Sequence, residues 1–206
     1  MNYAHLNKLE VASDATISEQ IEITKKRLGQ IHLPSLVETT FYQSATHPQQ
    51  FYTFSLWWEL AELKAAGQVF ASKQFSPANL KTHSVERQTF RLCWEFAQLV
   101  GEVAASNLVL INYPKGYSPQ QAEAELAQLR NHRGELTGLR RTWVGLSINP
   151  PRLVSIIRQD WQSLSAQTEF FNSKKGLSDL GKPYAQEIEY ASFDWQGWVL
   201  QAQKEV

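Results

Sequence analysis

The sequence predicts an all-α fold: a single domain, residues 1–206, built as a bundle of six or seven helices around a duplicated central helix. Three observations lead there. The first is a repeat. Residues 46–63 and 82–99 match at a constant offset of 36 in nine of eighteen positions, including Thr46/Thr82, His47/His83, Phe54/Phe90, Trp58/Trp94 and Glu59/Glu95. A period of this size is typical of stacked helical units. The second is two-sided apolarity, seen when each copy is wound at about 100° per residue. Leu56, Leu60 and Leu63 then form one stripe, and Phe54, Trp58, Ala61 and Ala65 a second, nearly opposite. Glu59 and Glu62 stay on a narrow polar rib, so such a helix is expected to be covered on both flanks. The third is a set of helix starts, Thr46-His47-Pro48, Ser76-Pro77 and Ser118-Pro119, each a capping residue followed by proline in the first turn.

Taken in order, residues 1–14 carry little pattern and are expected to fray or lie along the surface. Ser18-Glu19-Gln20-Ile21 opens a helix that ends in Lys25-Lys26-Arg27, the charge order that suits the helix dipole. The segment 33–43 reads as a short helix, although Thr39-Thr40-Phe41-Tyr42 is β-prone. The two repeated helices span roughly 48–73 and 77–105. Leu108 to Tyr113 is the best strand candidate in the chain, but a run this short also fits a buried helix end. A helix follows Pro119 and, despite Gly134 and Gly138, can be extended to residue 147. Another runs from Pro151 to about Phe171, and a last one carries Ile188, Ala191, Trp195 and Trp198 on one face. The echo of Asp160-Trp161-Gln162 in Asp194-Trp195-Gln196 is too short to extend the repeat through the chain.

Charge excludes a global attraction to polyanions, because 20 basic residues face 20 acidic ones. The single Cys93 forbids an internal disulfide and sits between Leu92 and Trp94, where a thiol is usually inert. The first residues lack the apolar core of a signal peptide, and no uncharged apolar run reaches membrane-spanning length. The expectation is a cytoplasmic protein with no membrane partner.

One basic cluster stands out. Arg130, Arg133, Arg140, Arg141, Arg152 and Arg158 are opposed only by Glu135, a local excess of five positive charges. On a continuous helix over 119–147, the first four would share one side, a surface suited to phosphate oxygens. The sequence therefore points to a non-catalytic accessory subunit that binds nucleic acid within a larger assembly. The alternative is a protein-interaction scaffold presenting Trp57 and Trp198 to other protein subunits, and the third reading is an enzyme with a site between helices.

No catalytic residue, metal or cofactor is expected. His47 and His83 lie twelve residues from Glu59 and Glu95, roughly 18 Å along a helix at 1.5 Å per residue, too far to share a metal. No Gly-rich phosphate loop, paired-cysteine motif or nucleophile elbow occurs. Pathway, oligomeric state and the identity of the partner have no signature in the sequence.

Overall fold

The computed structural model describes residues 2–43, 49–71, 81–98, 103–128, 130, 136–148, 153–172, 187–194 and 199–201. Along the chain run β1 (Tyr3–Val11), α1 (Ile17–Leu28), β2 (Leu36–Gln43), β3 (Gln50–Trp57), α2 (Leu60–Ala71), β4 (Thr82–Ala97), β5 (Ala105–Asn112), α3 (Pro119–Gln128), β6 (Leu139–Ser147), β7 (Val154–Trp161), α4 (Leu164–Asn172), β8 (Glu187–Asp194) and β9 (Val199–Gln201). Two compact units result. Unit 1 comprises residues 1–89 and 196–206, and unit 2 residues 90–195, so the division falls inside β4.

Each unit repeats one plan, strand-helix-strand-strand-helix-strand. In unit 1 the strand order is β4-β1-β3-β2, with β9 added beside β2. In unit 2 it is β8-β5-β7-β6, with the second half of β4 added beside β6. This is the ferredoxin-like arrangement, present twice. The hydrogen-bond registers make the copies superimposable in words. His5 faces Ser55 as Asn107 faces Gln159, and Asn7 faces Thr53 as Val109 faces Ile157. Thr39 faces Ser55 as Thr142 faces Gln159, and a register shift falls at Leu36/Glu38 in one copy and at Leu139/Arg141 in the other.

The all-α expectation is therefore wrong, and the reason is physical. Seven of the eight residues of β5 and all eight of β7 are buried, so neither strand shows the polar-apolar alternation of a half-exposed strand. Residues Phe54 to Trp57 of β3 are buried on both faces too, and α2 begins three residues after the strand ends. A two-sided strand running into a helix makes one apolar stretch of helical length. On a helical wheel, its two strand faces become the two opposite stripes. The repeat at offset 36 compares β3 and the start of α2 with β4 alone, and Trp94 lies in extended backbone while Trp58 is 51% exposed just past β3. Residues 1–14 do not fray as a whole, because β1 is an inner strand of unit 1 between β3 and β4. The helix imagined over 119–147 is α3 and then β6, separated by a turn in which Gly138 adopts φ +84°, a left-handed conformation that glycine tolerates and other residues resist.

Some local signals hold, while the helix starts expected at 46–48 and 76–77 lie outside the described residues and the short helix expected over 33–43 is replaced by β2. Thr16 accepts from the Glu19 amide at 3.3 Å while the Glu19 carboxylate accepts from the Thr16 amide, which starts α1 two residues earlier than Ser18 suggests. Ser118 and Gln121 exchange the same pair of bonds at 3.1 Å and start α3. The run Leu108 to Tyr113 falls mainly in β5, and Thr39 to Tyr42 lies in β2. The last helix expected, on Ile188 and Ala191, is replaced there by β8. Among the described residues, no helix is long and apolar enough to cross a membrane.

In unit 1 the helix-facing side of the sheet packs in two clusters. Leu9, Val11, Phe41 and Phe51 meet Ile17 and Ile21 of α1, while Leu36 and Trp57 meet Leu63 and Ala66 of α2. Burying a side chain such as Phe51 contributes about 1.5–3 kcal/mol, so these clusters fix both helices on the sheet. Between them the packing is open.

Candidate active site in unit 1

A cavity of about 690 Å³ lies between α1, α2 and the sheet of unit 1. Its sheet side is polar, with His5 and Asn7 from β1, Thr53 and Ser55 from β3, Thr39 from β2, and Ser84, Arg87 and Thr89 from β4. Its helix side is mixed, with Leu28, Leu63, Ala66 and Phe70 set among Thr24, Gln68, Arg27 and Lys64. A volume in this range with a few convergent polar groups is the ordinary form of a small-molecule site.

Unit 2 shows why the space exists. At the positions equivalent in register to Asn7 and Thr53 stand Val109 and Ile157, and eight residues after the helix cap, where α1 has Thr24, α3 has Leu126. All three belong to one packed apolar cluster. Nine residues after the terminal tryptophan of the third strand, α2 carries Ala66 and α4 carries Phe170, which stacks obliquely on Trp161 with ring centres 5.1 Å apart. Asn107 and Gln159, the counterparts of His5 and Ser55, bond to each other at 3.1 Å, and Asn107 also accepts from the Trp161 indole at 2.7 Å. Smaller or more polar residues at the same addresses leave unit 1 hollow.

His5 is the central polar group of the cavity. Its Nδ1 lies 3.1 Å from the Thr89 hydroxyl, and Nε2 has no partner among the described residues. Burial, reinforced by the positive charge of Arg87, pushes the imidazole down from 6.5 to about 4, so it is neutral at neutral pH. A chain of bonds orders the adjacent wall. Ser84 donates to the Asn7 side-chain oxygen at 2.6 Å and accepts from Arg87 Nε at 2.9 Å. Ser55 accepts from the Trp57 indole at 2.9 Å, which anchors that ring in the lining. Across the cavity the Arg27 guanidinium donates to the Phe70 carbonyl and sits 5.3 Å from the Phe70 ring centre, tying α1 to α2. Its Nε is buried without a partner among the described residues, and burial lowers its pKa. An unsatisfied buried donor costs about 1–3 kcal/mol, which a bound acceptor recovers.

Among the described residues, those singled out from sequence do not converge. Arg133, Arg152 and Trp198 lie outside the described residues. Arg130 is exposed beyond α3. Arg140 and Arg141 are neighbours on β6 at its register shift and take different partners. The first donates to Gln98 and Gln162 at 3.3 and 2.7 Å, and the second pairs with Glu95 at 3.1 Å. Arg158 is 3% exposed and locked on Asp160, with a bond from Ser106 to the same carboxylate at 2.7 Å. The continuous basic helix over 119–147 does not form, because Arg140 and Arg141 are strand residues of β6 and Arg130 lies beyond the end of α3. Trp57 is 2% exposed and lines the cavity, so it is not a docking residue. Burial foremost, with the nearby Glu123 carboxylate, pushes the Cys93 thiol up to about 11 and keeps it protonated.

Sequence reasoning missed His5 and Asn7 because they lie in a stretch read as frayed, and it read Arg27 only as a complement to the helix dipole. The available signal was strand phase: His5 and Asn7 alternate in step with Leu9 and Val11.

No family model matches the chain, and no curated protein sequence matches it. Solved structures do. An anthrone oxidase-like protein superimposes with a TM-score of 0.73 at 13% identity, over 100% of this chain and 95% of its own. A candidate monooxygenase of Fusobacterium nucleatum gives 0.67 at 9% identity, with 98% of both chains covered. Chlorite dismutase from Candidatus Nitrospira defluvii gives 0.57 at 8% identity, over 93% of this chain and 90% of its own. Identities this low establish a shared fold. They overturn the all-α bundle, and with it goes the basic helical face on which the reading as a non-catalytic nucleic-acid-binding subunit stood.

Proposed function

We propose that unit 1 is an enzyme module that takes a small, mainly apolar ring compound into its cavity and oxidises it with molecular oxygen. The observation that carries this is the hollow itself, a polar-floored cavity placed where the sister unit is packed with Val109, Ile157, Leu126 and Phe170. The similarly folded anthrone oxidase-like protein and monooxygenase candidate favour oxidation among the reactions a site of this kind serves.

The chemistry follows from the residues. A carbon acid such as a ring CH2 beside a carbonyl, seated against β1, gives its proton to Nε2 of His5, whose ring Thr89 holds in place. The enolate that forms lies beside the positive charge of Arg87 and next to the hydroxyls of Thr53 and Ser55. That negative charge raises the proton affinity of His5 as the proton arrives, which offsets its low resting value. Oxygen then takes the electrons of the enolate, so that CH2 and O2 become C=O and H2O.

The test is oxygen uptake by the full-length protein with anthrone in air-saturated buffer, followed together with quinone absorbance. Uptake well above the protein-free rate is expected, reduced on the order of 100-fold or more in His5→Ala. Uptake at the protein-free rate would remove the assignment.

A further inference from the structure

We infer that the molecule taken up by unit 1 carries a permanent anion, a carboxylate, at the end that lies against Arg27 and Lys64. The inference rests on the cavity being a small-molecule site and adds the charge of its occupant. The chain as a whole is balanced, with 20 basic and 20 acidic residues, yet Arg27, Lys64 and Arg87 all line the cavity and, among the described residues, no acidic residue does. The acids of the surrounding elements are committed elsewhere. Glu62 accepts from the Ser35 amide at 2.8 Å, Glu10 pairs with His83 at 3.3 Å, and Glu22 pairs with Lys25 at 2.7 Å. Arg27 is half-buried while Lys64 and Arg87 are exposed, and among the described residues no carboxylate of the lining supplies their counter-charge.

The cations fall into two sets. Arg87 accompanies His5 on the sheet side, where the reacting carbon is placed. Arg27 and Lys64 come from the helices, and Arg27 is held in position by the Phe70 carbonyl and ring while its Nε stays buried and unpaired among the described residues. A fixed guanidinium with donors to spare matches a carboxylate, which accepts from two nitrogens at once. In unit 2 the position of Lys64 is held by Thr168, whose hydroxyl is turned back to the Leu164 carbonyl at 2.8 Å. The charge belongs to the hollow unit.

Fluorescence titration of the full-length protein with anthracene-2-carboxylate and with anthracene-2-carboxamide tests this, since the two probes share shape and differ in charge. The acid is expected to bind at least tenfold more tightly, with the gap shrinking as salt rises. Lys64→Gln and Arg27→Gln are each expected to weaken the acid several-fold and leave the amide unchanged. Arg27→Gln loses a contact between the helices, so the exposed Lys64 provides the arm that survives if that variant fails to fold. Equal affinity for the two probes would overturn the anion and leave the cavity as a site for neutral molecules. Binding of neither probe would overturn the site and the anion together. A retained preference for the acid, in a protein that consumes no oxygen, would keep the anion and remove only the oxidation.

Discussion

Unit 1 and unit 2 share a fold, a register and even a bulge, yet one is hollow and the other packed. In unit 2 the helix layer is fastened to the sheet: Gln167 of α4 donates to the Ser106 carbonyl at 2.9 Å, and the Trp94 indole donates to the Leu126 carbonyl at 2.8 Å. In unit 1 the position of Gln167 is held by Leu63, and Arg27 instead fastens one helix to the other. In unit 1 the helices are held at their apolar clusters and to each other, which leaves the polar stretch between the clusters open. The contrast shows how a duplicated unit divides its labour: one copy keeps polar groups that a core does not need, and the other replaces them with aliphatic side chains and buried amide bonds.

The largest effect is expected where unit 2 buries charge. Asp160→Leu strands Arg158 without its partner and should cost about 3–5 kcal/mol in urea denaturation, while the double change Arg158→Met, Asp160→Leu should recover most of it. A double variant as unstable as the single one would mean that the ion pair is not the reason for the loss. Next comes the exchange of the residues that make one unit hollow. Ala66→Phe should abolish probe binding, by 100-fold or more, with the far-ultraviolet dichroism unchanged. Phe170→Ala should cost about 3 kcal/mol of stability and leave the affinity of unit 1 as it was. Probe binding that survives Ala66→Phe would place the ligand elsewhere.

The pH dependence of stability separates the units through His5. Its folded value of about 4 lies below the unfolded 6.5, so the unfolded chain takes up a proton first and stability falls as pH drops from 6.5 towards 4. The loss should reach about 3 kcal/mol, since each unit of separation is worth 1.36 kcal/mol, and it should vanish in His5→Asn, the residue that unit 2 has at that address. An unchanged acid limb in the variant would show that another group sets it. The smallest expected effect is that of Thr53→Ile, which copies Ile157. It should raise stability by about 1 kcal/mol through added apolar burial while weakening the probe. A gain in affinity would contradict the role given to the polar sheet face.

How much of this the residues announced depends on the range of the interaction. The cavity was hidden for the same reason as the strands. His5, Asn7 and Thr53 look unremarkable until β1 and β3 are laid side by side, and the kinship of the two halves rests on register, with only scattered identities such as Leu36/Leu139, Thr39/Thr142, Trp57/Trp161 and Leu60/Leu164. The repeat that could be read, at offset 36, matched similar apolar runs with different partners.

What the sequence determined alone was local: where α3 begins and, to within two residues, where α1 does, because a cap and its acceptor three residues on need no other part of the chain. It also determined the equality of opposite charges and the solitary Cys93. Only the tertiary structure decided which apolar runs became strands and which copy stayed hollow. Strand pairing and cavity volume are set by residues tens of positions apart, and a stretch covered on both faces carries no alternation to betray its conformation.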